Sequence, residues 1–233
     1  MTISQNFPVT RPALLLDFSN QTVLDPRVTF TRTTTGYYYD NKSAALAEQN
    51  LLLQSNTFTN AAWVAYGVGT PVVGATDPAG TAFGYTLTAS AGNNTHFIYV
   101  NSATAIAPSV TYTLSAYLQA GAGVGSFNFA SLNAVNGTNY INATFTLTGA
   151  GTAGTPVVSG PFTSVNATIT QIGSTAWYRC SVTFSTTSTA LTSVIQMNTS
   201  ATPTLNTSGQ QVWTAAGTET LLVYGAQLEQ RSS

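Results

Sequence analysis

Beyond residue 50, apolar and polar residues alternate with a period of two through most of the chain, and that alternation predicts strands. Tyr112, Leu114, Ala116 and Leu118 interleave with Thr113, Ser115 and Tyr117. Ile141, Ala143, Phe145 and Leu147 interleave with Asn142, Thr144 and Thr146, and Val165, Ala167 and Ile169 with Asn166 and Thr168. Over 177–184 one face carries Tyr178, Cys180, Val182 and Phe184, the other Trp177, Arg179, Ser181 and Thr183. Leu222, Tyr224, Ala226 and Leu228 predict a last inward face. Successive side chains of a strand point to opposite sides, so each run offers one face to a core. Turn-forming groups separate the runs at Asp77-Pro78-Ala79-Gly80, Ala91-Gly92-Asn93-Asn94, Asn136-Gly137 and Gly149-Ala150-Gly151. The whole predicts an all-β fold: two antiparallel sheets packed as a jelly-roll sandwich. The one helical expectation is a short turn at 42–49, around Ser43-Ala44-Ala45-Leu46-Ala47-Glu48.

Charge divides the chain in two. Only 6% of the 233 residues are Asp, Glu, Lys or Arg, against about a quarter in ordinary soluble domains. Arg11, Asp17, Asp25, Arg27, Arg32, Asp40, Lys42 and Glu48 all lie before Asn50, and no charged residue lies between Asp77 and Arg179. This predicts an extended N-terminal arm, residues 1–49, followed by a neutral sandwich, residues 50–233. The arm has β-prone pieces at 12–18, 27–32 and 33–39 that cannot bury their apolar residues alone. They are expected to lie on the body or on another subunit.

The composition also excludes some roles. Hydrophobic residues at 43% and aromatics at 11% are enough for a core. A net charge of −1, with one lysine and five scattered arginines, argues against nucleic acid, whose phosphates require clustered cations. A near-neutral surface favours self-association. No apolar run reaches the ~20 residues of a spanning helix, so no membrane partner is expected. The first residues, Met1 to Pro8, lack a signal-peptide pattern, which predicts synthesis in the cytoplasm without secretion by a Sec signal. Cys180 is the sole cysteine, so no intrachain disulfide can form; its place on an alternating strand predicts a small core residue.

Catalytic signatures are missing. His96 is the one histidine and sits in an apparent strand, with no carboxylate within 18 residues of it. A nucleophile needs a base within hydrogen-bond reach, so His96 is expected to be structural. No His, Cys or carboxylate cluster suggests a metal, although Asp77 with backbone carbonyls leaves a calcium reading open. Glycoside hydrolysis would need two opposed carboxylates drawn from Asp77, Glu219 and Glu229. The expectation is therefore a non-enzyme with no cofactor. Trp63, Tyr66, Tyr117, Trp177 and Trp213 admit two readings: a platform for sugar rings, or core and subunit contacts.

Several of these stretches resemble a known group. Residues 11–18 (RPALLLDF) and 24–32 (LDPRVTFTR), continued by Thr34, Gly36, Tyr37, Tyr38, Tyr39 and Asp40, resemble the opening of phage virion proteins of the head-spike, head-fibre and tail-fibre type. Residues 50–63 (NLLLQSNTFTNAAW), 177–184 (WYRCSVTF) and 224–229 (YGAQLE) are similar to later blocks of the same proteins, in the same order. The 40–50 linker is shorter than in those proteins, and the expectation is of a sandwich without a fibre shaft, receptor tip or depolymerase domain after it.

The resemblance implies a carbohydrate-binding-module-like sandwich and a structural role outside a phage particle, as a capsid decoration (cement or head-fibre) protein. The alternative is a tail-fibre or receptor-binding module holding host polysaccharide. The expected partners are other copies in a homotrimer, the major capsid or another virion protein, and in the alternative a host glycan. Capsid or subunit contact is expected of Arg11, Leu14, Leu16, Phe18, Arg27, Phe30, Arg32, Tyr37, Tyr38 and Tyr39. Sugar contact is expected of Trp63, Tyr117, Trp177 and Trp213. Leu51-Leu52-Leu53 with Trp63 are expected to supply the first apolar strand of the body, Gly225-Ala226 a close approach of two strands or subunits, and Arg179 or Glu229 a buried polar pair.

Overall fold

A computed structural model describes residues 37–39, 44–46, 50–102, 106–121 and 128–230. The chain divides into two units, Met1–Ala47 and Glu48–Ser233. In the first, β1 (Tyr37–Tyr39) pairs antiparallel with β2 (Ala44–Leu46). The helical turn expected at 42–49 is therefore not what Ala44–Leu46 adopts. One turn of helix fixes several residues for very few hydrogen bonds, and a strand partner outcompetes it.

The second unit contains fifteen strands among its described residues. In chain order the first are β3 (Val64–Tyr66), β4 (Val72–Ala75), β5 (Gly84–Thr88), β6 (Gly92–Asn94) and β7 (Phe97–Asn101). Next come β8 (Thr111–Ala120), β9 (Phe129–Asn136), β10 (Asn139–Thr146), β11 (Thr152–Ala153) and β12 (Val157–Ser159). The last are β13 (Phe162–Gln171), β14 (Tyr178–Thr186), β15 (Thr192–Asn198), β16 (Trp213–Ala215) and β17 (Thr220–Glu229).

A six-stranded sheet runs β13-β14-β8-β17-β5-β4, and a seven-stranded sheet runs β11-β10-β9-β15-β7-β3 with β12 also on β10. β16 and β6 form a separate ribbon. The chain passes repeatedly from one sheet to the other, and every strand pairing is antiparallel. The fold is an all-β antiparallel sandwich, as the alternation required.

The core lies between the sheets. Tyr112, Leu114, Ala116 and Leu118 of β8 meet Ile141, Ala143 and Phe145 of β10, Ala130 and Leu132 of β9, and Cys180, Val182 and Phe184 of β14 in one apolar cluster. Burial raises the Cys180 thiol far above its ordinary pKa, as expected of a side chain surrounded by hydrocarbon.

Two expectations need correction. Leu51-Leu52-Leu53 does not open a strand: Leu52 makes an isolated bridge to Ser102, and Leu53 is 51% exposed. Successive turns follow, with Thr57 N–H donating to Gln54, Asn60 to Thr57 and Trp63 to Asn60, and β3 begins only at Val64. In β17, Leu222 and Tyr224 do not share the inward face of Ala226 and Leu228. The inward residues are Leu221 and Val223, then Ala226 and Leu228. A register shift between Tyr224 and Gln227, with Gly225 at φ 57°, inserts a bulge that exchanges the faces.

Candidate functional site

Asp77, Glu219 and His96 are tied to the backbone. Asp77 Oδ1 accepts the N–H groups of Ala79 (2.8 Å) and Thr81 (3.0 Å), and the Thr81 hydroxyl donates to Oδ2. That hydroxyl, helped by backbone N–H groups and opposed by burial, holds the carboxyl below its ordinary pKa. Ringed by donors, Asp77 caps its own turn and does not present its oxygens to a cation. Glu219 does the same for 216–218, accepting Ala216 N–H at 2.8 Å, Gly217 at 2.9 Å and Thr218 at 3.0 Å. Burial raises its pKa, but these N–H groups outweigh burial and the net direction is down. His96 is fully buried, its ring nitrogens 2.5 Å from the Gly67 carbonyl and 3.2 Å from that of Trp213. Gly67 has no room for a side chain, because a Cβ would sit 1.9 Å from the Thr95 oxygen. Among the described residues no three His, Cys, Asp or Glu side chains gather.

The outer face of the six-stranded sheet is a hydroxyl ladder with a groove beside it. Thr111 pairs with Ser185 (3.1 Å), Thr113 with Thr183 (2.9 Å) and Thr168 with Ser181 (2.6 Å) across β8, β14 and β13. Next to the ladder, Arg179 lies 4.6 Å over the Tyr117 ring. It donates to the Gly225 carbonyl (3.0 Å), to Ser115 Oγ (2.5 Å) and to Gln227 Oε1. Burial lowers the guanidinium pKa, and Tyr117 and Glu229 push it back up. The bulge takes Gly225 out of the regular ladder, and Arg179 satisfies its carbonyl. Of the polar pair expected at Arg179 or Glu229, Arg179 is bonded to three oxygens and feels the charge of Glu229.

Two depressions adjoin along this face. One, of about 200 Å³, is lined by Ser55, Asn56, Tyr117, Tyr224, Gly225, Ala226 and Gln227. The other, of about 580 Å³, lies between the turns at 75–80 and 175–177 and has Gln119, Trp177 and Leu222 in its wall. In register, Tyr117 faces Tyr224 and Gln119 faces Leu222, so the two depressions are one step apart on the same pair of strands.

Thr113, Ser115, Ser181 and Thr183 of the six-stranded face are buried, and the outer face of the seven-stranded sheet also buries its polar row, but under a remote segment. Ser131, Asn133, Asn142, Thr144, Gln196 and Asn198 point outward yet are buried. The segment 199–212 ties down much of this row. Asn133 and Asn142 donate to the Gly209 carbonyl at 3.2 and 2.9 Å, and Gln196 to that of Gln211 at 3.0 Å. Toward β3 the face turns aromatic: Tyr66, 50% exposed, stacks on Phe97 at 5.3 Å, with Tyr99 beyond.

Of the residues expected to meet sugar, three are largely structural. Trp63, Trp177 and Trp213 are 6%, 3% and 8% exposed. Each indole N–H donates to a backbone carbonyl, of Gln54, Thr76 and Met197 respectively. Only Tyr117 and Trp177 are brought to one face, in the walls of the two depressions. Tyr224 was missed because the bulge moves it to the outer face, while Asn56, in a turn, and Gln227 carry no sequence signal that singles them out. Arg11, Leu14, Leu16, Phe18, Arg27, Phe30 and Arg32 lie outside the described residues. Tyr37, Tyr38 and Tyr39 form β1.

No protein-family model matches the chain, and no curated protein matches it. Among solved structures it is similar to the N-terminal cellulose-binding domain of Cellulomonas fimi β-1,4-glucanase C, with 16% identity and a TM-score of 0.37 over 76% of this chain and 95% of that one.

Proposed function

We propose that this chain is a non-enzymatic structural protein of a bacteriophage virion, a capsid decoration protein whose sandwich projects from the head and whose residues 1–49 attach it. The observation that carries this reading is the meeting of three sequence blocks that resemble phage virion proteins. Asn50 donates to the Ala226 carbonyl and accepts the Leu228 N–H, each at 3.0 Å, while Ala226 N–H reaches the Ser55 carbonyl. Arg179 of the 177–184 block binds Gly225 and Gln227 of the last block. Blocks far apart in sequence thus form one knot, which gives their joint occurrence a physical reason. Carboxylates at Asp77 and Glu219 that close their own turns support the non-catalytic part.

The test is a reconstruction of the whole particle with antibody-labelled protein. Label over the head supports the proposal; label confined to the tail replaces it with the second reading. Deleting residues 1–45 is expected to leave a folded sandwich that no longer joins the particle, and undiminished occupancy by the truncated chain would refute the role of the arm.

The second reading is a tail-fibre or receptor-binding module that holds host polysaccharide. The adjoining depressions beside Tyr117 and Tyr224 favour it, and binding of isolated protein to a bacterial glycan array tests it.

A further inference from the structure

We propose that the groove on the outer face of the six-stranded sheet is a carbohydrate site for a neutral, extended run of about two or three sugar units, lying along Tyr224, Tyr117, Gln119 and Trp177. The proposal rests on the second reading above and commits it to one face and one chemistry.

Size comes first. The depressions of about 200 and 580 Å³ adjoin and fall in the range of small-ligand sites, roughly 300–1,000 Å³ when taken together. Tyr117 and Gln119 are two residues apart on β8, a spacing of about 6.8 Å along the strand, and each faces its own partner on β17. The groove therefore repeats in steps along one direction, which suits a chain of rings.

The lining chemistry is that of sugar recognition. Tyr117 and Tyr224 stand with centroids 6.0 Å apart and planes tilted by 47°, forming a notch of two aromatic walls. Ring faces accept the C–H side of a pyranose, and the amides of Asn56, Gln119 and Gln227 can pair with hydroxyls as both donor and acceptor. The notch is pre-formed. Arg179 holds Tyr117 from one side, and Gly225 keeps the other clear, since a Cβ there would lie 3.1 Å from the Tyr117 ring.

Charge sets the ligand class. Asp77 borders the larger depression with its carboxylate turned into its own turn, and the Arg179 guanidinium is engaged by Gly225, Ser115 and Gln227. Among the described residues Asp77 is the one charged residue lining either depression, and Arg179 lines neither, so neutral sugars are favoured over uronates. Topology argues against an extended peptide. β8 and β17 are interior strands of the order β13-β14-β8-β17-β5-β4, so the groove lacks the unpaired edge that strand addition needs.

The test uses the full chain on an array of neutral and uronate-containing bacterial oligosaccharides. Hits are followed by NMR titration of wild type, Tyr224→Ala, Asn56→Ala and Tyr66→Ala, each checked for an unchanged melting temperature. The expected result is binding to a neutral oligosaccharide that weakens about tenfold or more in Tyr224→Ala and several-fold in Asn56→Ala, with Tyr66→Ala unaffected. Loss in Tyr66→Ala with Tyr224→Ala silent would move the site to the other sheet, overturning this proposal while sparing the glycan reading. Preference for uronates overturns the neutral class. Binding to nothing on the array overturns both this proposal and the glycan reading, and leaves the virion reading standing.

Discussion

The two outer faces of the sandwich bury similar polar residues in different ways. On the seven-stranded sheet Asn133, Asn142 and Gln196 lie under the segment 199–212 and bond its carbonyls. On the six-stranded sheet Thr and Ser hydroxyls bond one another across strands, and a groove stays open beside them. Both faces read as polar in sequence. Both rows are buried, one closed by the segment 199–212 and the other by its own cross-strand hydroxyl pairs with a groove left open beside it, and the difference lies in what the chain lays over each.

The largest effect that sharpens this contrast is expected from Asn142→Ala. It deletes donors to the Gly209 carbonyl and Ser131 and leaves buried groups unpaired, so chemical denaturation should show a loss of about 1–3 kcal/mol. Hydrogen exchange over 199–212 should quicken with it. If stability is unchanged, the buried row is not a joint and the comparison fails.

On the other face, Arg179→Met removes the clamp on the bulge. The Gly225 carbonyl loses its donor in a half-buried position, and a cost of about 1–2 kcal/mol is expected by thermal or urea melting. A neutral outcome would show that the bulge holds itself.

A smaller effect, arising in turns beside strands of the six-stranded sheet, is pH dependence. The folded pKa values of Asp77 and Glu219 are lowered, so their contribution is complete above the unfolded carboxyl range of about 4 and is lost as pH falls through the lower folded values. Melting temperature should drop on acidification from about pH 5 toward pH 2, and less steeply in Asp77→Asn and Glu219→Gln. Variants with the wild-type acid limb would show that these caps do not drive it.

The smallest change is expected for Thr168→Ala, on the exposed end of the hydroxyl ladder. Thr168 is exposed although its partner Ser181 is buried, and the loss of stability should be about 1 kcal/mol or less. A larger loss would make the ladder a joint like the opposite face.

The strand runs of β8, β10, β13 and β14 were legible because a period of two is local: each residue's neighbours in sequence already state which side it faces. The scarcity of ionic groups was equally plain, as were the solitary Cys180 and His96, and with them the expectation of a non-enzyme. Tertiary structure alone decided the rest. It placed Leu222 and Tyr224 outside through a bulge whose carbonyl is bonded by an arginine 46 residues away. It also buried three tryptophans by giving each indole a distant or local carbonyl, and turned one polar face into a joint with 199–212. Alternation records on which side of a strand a side chain emerges, but what meets it there depends on segments remote in sequence, and no local pattern encodes their arrival.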